Sequence, residues 1–271
     1  MKTRIFMGIP SMGTRSDAQV HKLREMEKKY ADKIELVYPE KCVHRMFHDH
    51  ARNKTVDEFM KSDCDLMWFL DSDVVPNDNA LDVVTIHGDK WKLAGLPYPV
   101  MMTPSGESTP QVVFTVYKSI KDKMGLGAAN IPKEGLDFVE GIATGCIFIR
   151  KEVIEKLDKP YFKFVYDEES RDIKMGEDLD FCLRVNKLGY KFFIDYSMVC
   201  RHYKNVDLLD VNNYAIDFSN KCMTVFEGQI RSQLSKIYMD KKFRRNEVSP
   251  ASTLRAFPEK TEMPSGNINK S

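Results

Sequence analysis

The chain has 271 residues, 42% hydrophobic and 30% charged, and its 41 Lys+Arg against 40 Asp+Glu give a net charge of +1. A chain of this size and composition buries its own core, which excludes disordered and collagen-like classes. The balanced charge excludes a global field drawing it to nucleic acid or an anionic membrane.

In chain order, Ile5 to Ile9 predicts a short buried strand closed by Pro10. Ser16, with Gln19 three residues on, predicts a capping box for a helix running to about Tyr30. Ile34 to Tyr38 predicts a second strand, His50 to Lys61 a helix with Val56, Phe59 and Met60 on one face, and Leu66 to Leu70 a continuous apolar strand. A helix from about Asn79 to Ile86 and strands at Leu93 to Leu96, Val112 to Tyr117 and Cys146 to Ile149 follow. Leu157 to Met175 is long, charged and rich in aromatics, the pattern of a binding loop or lid. Glu177 to Leu188 predicts a helix stopped by Gly189, and Phe192 to Asp195 and Met198 to Cys200 predict short strands. Buried runs alternating with helices imply an α/β fold: a mostly parallel sheet with helices on both faces, and ligands at the carboxyl ends of the strands.

The expected organisation is a catalytic domain over residues 1–205, a helical extension over 206–243 and a flexible tail over 244–271. The first apolar run is too short for a signal sequence, and no stretch approaches the roughly 18 apolar residues of a membrane span. Six cysteines without a CxxC pair fit a reducing compartment and no structural zinc, so a cytoplasmic location is expected, the host's if the protein is viral.

Three local patterns carry chemistry. Asp71-Ser72-Asp73 closes the strongest apolar strand, and carboxylates at i and i+2 there either hold a hard divalent cation that grips a diphosphate or form an Asx turn. In Gly176-Glu177-Asp178-Leu179-Asp180, a turn of about 100° per residue puts Asp178 on the face of Phe181, Cys182 and Val185, pointing inward as a helix cap or as an acid or base. Asp180 falls with Arg184 and Lys187 on the opposite face, as a surface ion pair. His202 ends a short apolar stretch, as a structural histidine or a ligand.

The ordered set of Pro10, Ala51-Arg52-Asn53, Asp71-Ser72-Asp73, Thr144-Gly145-Cys146, Gly176-Glu177-Asp178 and His202 resembles GT-A glycosyltransferases, a Rossmann-like fold. The likeness is to family 2 and to compact relatives in phage and large-virus genomes, and it spans about Ile5 to His202. It implies a nucleotide-sugar donor, UDP-linked by preference, and a divalent Mn or Mg ion. Pro10, Arg52, Asn53, Asp71, Ser72 and Glu177 would line the nucleotide site, and Asp73 and His202, supported by Asp71, would hold the metal. Thr144 and Gly145 would flank the donor sugar, and Asp178 would be the base of an inverting transfer. Val37-Tyr38-Pro39-Glu40 stands where family 2 carries an Asp-Asp-Gly-Ser stretch that holds the base. The acceptor is left open among a glycan, a protein and a modified DNA base.

Two other readings compete. A haloacid-dehalogenase-type phosphohydrolase would use Asp71 and Asp73 as nucleophile and acid, with Asp178 and Asp180 downstream. A binding module for sugar nucleotides or nucleic acid would draw on the basic run Lys241-Lys242-Phe243-Arg244-Arg245.

Overall fold

The computed structural model describes residues 2–10, 16–39, 46–102, 111–120, 128 and 130–203. The expected helical extension and tail lie outside these residues. In chain order the elements are β1 (Thr3–Gly8), α1 (Asp17–Lys29), β2 (Ile34–Val37), α2 (His48–Lys61), β3 (Leu66–Leu70), β4 (Val74–Val75), α3 (Asp82–Thr85), β5 (Leu93–Gly95), β6 (Pro99–Met102), β7 (Gln111–Phe114) and β8 (Val116–Tyr117). There follow β9 (Leu136–Val139), β10 (Gly141–Ile142), β11 (Cys146–Arg150), α4 (Lys151–Ile154), β12 (Val165–Tyr166), β13 (Ile173–Met175), α5 (Glu177–Lys187), β14 (Phe192–Asp195) and β15 (Arg201–His202).

Seven strands form one sheet in the order β2-β1-β3-β11-β5-β14-β9. The pairs β1/β2, β1/β3 and β5/β14 are parallel, while β11 runs against β3 and β5, and β9 against β14. Five strands therefore share one direction, and the fold is the mostly parallel α/β type. Side chains alternate between two cores. Ile5, Met7, Leu66, Trp68 and Phe148 face α1 and α3 through Leu23, Met26 and Val83. Phe6, Met67, Phe69 and Ile147 face α2, α4 and α5 through Phe59, Ile154 and Phe181. The five side chains of β3 are completely buried, which is why this strand reads as an unbroken apolar run. No helix among the described residues is long and apolar enough to cross a membrane.

Several sequence expectations are corrected. Ser16 does cap α1, accepting from the Gln19 N–H at 3.2 Å. The Gln19 side chain does not close a capping box; it reaches across to the Asp71–Val74 turn. The single strand expected at Val112 to Tyr117 breaks at Thr115 into β7, paired with β6, and β8, paired with β10. Met198 to Cys200 forms no strand; pairing starts at Arg201, opposite Val75. Edge strand β9 was not expected, because Leu136 and Phe138 are half exposed and give no buried run. The stretch from Leu157 to Met175 is not wholly a loop: Tyr161 and Phe162 are buried against α5, and β12 pairs with β13 as a two-stranded ribbon.

Candidate functional site

At the carboxyl ends of β1 and β3 lies a cavity of about 460 Å³. Because β11 runs antiparallel to β3, the residues before it meet those after β3. Cys146 pairs with Leu70, and the Asp71 N–H donates to the Gly145 carbonyl at 2.9 Å. The lining includes Pro10, Arg52, Asp71, Ser72, Asp73, Thr144, Glu177, Asp178 and His202, drawn from six segments. Its charged members are one arginine and four carboxylates, 1 − 4 = −3 with histidines neutral.

Arg52 is buried on α2 and holds Asp71 in a two-pronged pair, Nη1 to Oδ1 and Nη2 to Oδ2, both 3.1 Å. Its Nε also reaches Glu177 Oε1 at 3.4 Å. Burial alone would lower the guanidinium pKa, but the two carboxylates outweigh it and raise it, so the cation is locked in. With both oxygens engaged, Asp71 is poorly placed to act as a nucleophile.

Asp73 and His202 meet through the β4/β15 ribbon, His202 Nε2 lying 3.3 Å from Asp73 Oδ2. His202 Nδ1 is 2.9 Å from the Pro99 carbonyl. A carbonyl only accepts, so Nδ1 carries a proton, and Nε2 is the ring nitrogen that faces the Asp73 carboxylate. Tyr98 packs edge-on against the imidazole, with ring centroids 5.1 Å apart. Among the described residues, no group of three or more His, Cys, Asp or Glu is placed to hold a metal on its own.

Asp178 opens α5, where its Oδ1 accepts from the Leu179 N–H at 2.8 Å. Burial, then the adjacent Glu177 charge, raise its carboxyl above the ordinary aspartate value. Asp180 departs from expectation: it is not a surface residue but is buried, 2.8 Å from Arg184 Nε. That guanidinium also donates to the Asp158 and Tyr161 carbonyls, so the pair fastens α5 to the segment packed beside it. Asp180 is not among the cavity residues and forms no acidic pair with Asp178 there.

Thr144 Oγ1 is buried without a hydrogen-bond partner among the described residues. Gly145 is hemmed in: a Cβ would collide with the Tyr98 hydroxyl and lie 3.0 Å from Asp71 Oδ2. Asn53, expected to line a nucleotide site, faces elsewhere. Its amide clamps Phe162, donating to the carbonyl at 2.6 Å and accepting from the N–H at 3.0 Å. Tyr98, just after the β5 strand, also lines the cavity, as do Thr115 and Tyr117, which give no sequence signal because a lone threonine and a lone aromatic in a broken strand leave no pattern. Tyr98 is buried, and its hydroxyl accepts from the Gly145 N–H at 3.1 Å.

No protein-family profile matches the sequence, and no curated protein aligns with it significantly. Among solved structures, A197 from STIV is similar over 76% of this chain and 87% of its own, with a TM-score of 0.48 and 20% identity. GalNAc-T7, crystallised with UDP, GalNAc and Mn2+, is similar over 76% of this chain and 44% of its own (TM-score 0.43, 12% identity). S. aureus TarS 1-349 is similar over 74% of this chain and 60% of its own (TM-score 0.37, 14% identity). The chain thus spans less than two thirds of the last two.

Proposed function

We propose that this protein is a metal-dependent glycosyltransferase that moves a sugar from a nucleotide, a UDP-sugar being the first to test, to an acceptor hydroxyl with inversion. The observation that carries the reading is the pairing of Asp73 with His202, held 3.3 Å apart in a cavity whose lining sums to −3. A cavity of that charge repels a diphosphate unless a cation enters with it. One carboxylate and one imidazole suit Mn2+ or Mg2+, which take remaining ligands from phosphate oxygens and water. When bound, the ion neutralises the leaving diphosphate.

In this reading the Pro99 carbonyl keeps the His202 lone pair aimed at the ion. Arg52 fixes Asp71 beside the nucleotide, with Pro10, Ser72 and Glu177 completing that wall. Thr144 Oγ1, lacking a partner among the described residues, meets a sugar hydroxyl, and Gly145 beside it lets the Tyr98 hydroxyl and Asp71 pack close behind. Asp178 takes the acceptor proton as the oxygen attacks the anomeric carbon; its raised pKa suits a general base. The phosphohydrolase alternative is disfavoured by the arginine that occupies Asp71 and by Asp180 pairing away from the cavity. A cytoplasmic site of action belongs to the same proposal.

The test is incubation with a panel of nucleotide sugars and Mn2+ or Mg2+, monitoring which nucleotide is released. The expected result is release from one class of donor, abolished by EDTA. Undiminished release in EDTA, or phosphate freed from simple phosphomonoesters with no turnover of sugar nucleotide, overturns the reading.

A further inference from the structure

The turn that carries Asp71, Ser72 and Asp73 is fixed from behind, one backbone carbonyl at a time. The Ser72 carbonyl accepts from the Ser16 N–H at 3.4 Å, and the Asp73 carbonyl from the Tyr203 N–H at 2.8 Å. The two ends of the turn converge on one side chain. Gln19, completely buried on α1, donates from Nε2 to the Asp71 carbonyl and to the Val74 carbonyl, both at 2.7 Å. An amide NH2 has two hydrogens, and here each has its own carbonyl. The orientation is forced, since flipping the amide would set Oε1 against two other oxygens. The opposite end of the amide is left without a partner: Gln19 Oε1 is buried and accepts nothing among the described residues. A buried, unsatisfied acceptor is unfavourable, so what this side chain contributes lies at its nitrogen.

We infer that Gln19 is a positioning residue for the metal centre: by bridging the carbonyls of Asp71 and Val74, it holds the turn so that Asp73 faces His202. The inference rests on the proposed metal site at Asp73 and His202. Val74 is itself the β4 residue paired with His202. The two carbonyls held by Gln19 therefore flank Asp73 and mark the point where its partner strand docks. Releasing them lets the turn relax, and the Asp73–His202 separation is what relaxes with it.

The effect is read on the metal, independently of turnover. Mn2+ uptake by the full chain in the presence of UDP is followed by the electron paramagnetic resonance signal of free Mn2+, with thermal melting as the measure of folding. Gln19→Met keeps length and burial but cannot donate. It is expected to weaken Mn2+ binding about 10- to 100-fold, the usual effect of removing a residue that orients a ligand. Ser16→Ala removes the α1 cap while leaving the turn's backbone contacts in place, and is expected to lower the melting temperature without changing Mn2+ affinity. If Gln19→Met does not fold, Gln19→Asn decides: its shorter amide reaches one carbonyl and is expected to weaken binding less. A folded Gln19 variant with wild-type Mn2+ affinity overturns the inference, while loss of uptake in Asp73→Ala keeps the metal site standing. Absence of Mn2+ uptake by the wild type overturns the metal site and the inference together. Equal weakening in Ser16→Ala and Gln19→Met also overturns it, since general loosening of α1 then accounts for both.

Discussion

Asp178→Asn separates chemistry from binding and from folding. The substitution keeps the shape of the side chain and can retain the contact to the Leu179 N–H, but removes the proton acceptor. Loss of a positioned base costs about 100- to 10,000-fold in rate, or about 2.7–5.4 kcal/mol of barrier at roughly 1.36 kcal/mol per tenfold. Donor and metal affinity should stay near wild type, because Asp178 belongs to neither the Asp73–His202 pair nor the Arg52–Asp71 pair. Stability should move the other way. Burial first and the Glu177 charge second raise the Asp178 carboxyl, so the folded state favours its protonated form. That contribution is fully present below the unfolded-state value of about 3.9 and is lost as pH rises through the higher folded value. Asparagine does not titrate, so the variant should melt higher than wild type at pH 7, with the difference shrinking at acid pH. The assays are single-turnover transfer, product anomeric analysis, nucleotide-sugar titration and thermal melts at both pH values. Wild-type transfer by the variant, or a product that retains the donor's configuration, would refute the assignment of Asp178 as base.

Arg52→Met strands two carboxylates, Asp71 and Glu177, beside an apolar side chain; a loss of about 3 kcal/mol, and on the order of 10 °C in Tm, is expected in thermal melts. Gly145→Ala drives a methyl into the Tyr98 hydroxyl, with an expected cost of about 1–3 kcal/mol and weaker donor binding, checked by denaturant titration and UDP binding. Asp180→Asn weakens the bond to Arg184 outside the cavity, so it should lower Tm while leaving the transfer rate per folded molecule within about twofold, since removal of an acting acid or base costs at least about 100-fold.

The elements legible in the sequence are those whose own residues dictate them. Leu66 to Leu70 reads as a strand because its side chains are buried on both faces, and α1 starts where Ser16 caps it. The inward turn of Asp178 follows from helical periodicity. Edge strand β9 and the break at Thr115 are not legible in the sequence, because partial exposure and side-chain bonding to the Tyr98 backbone leave no periodic pattern.

What the sequence could not contain is long-range pairing. Arg52 holding Asp71, Asp73 meeting His202 across 129 residues, and Gln19 bridging a turn 52 and 55 residues away all depend on which strands lie side by side. The burial of Asp180 is a further case: a helical wheel gives its direction but not that the Asp158–Tyr161 segment covers that face. Local periodicity sets the face on which a side chain lies. The order and direction of the strands, above all the antiparallel β11 between β3 and β5, decide what that face meets.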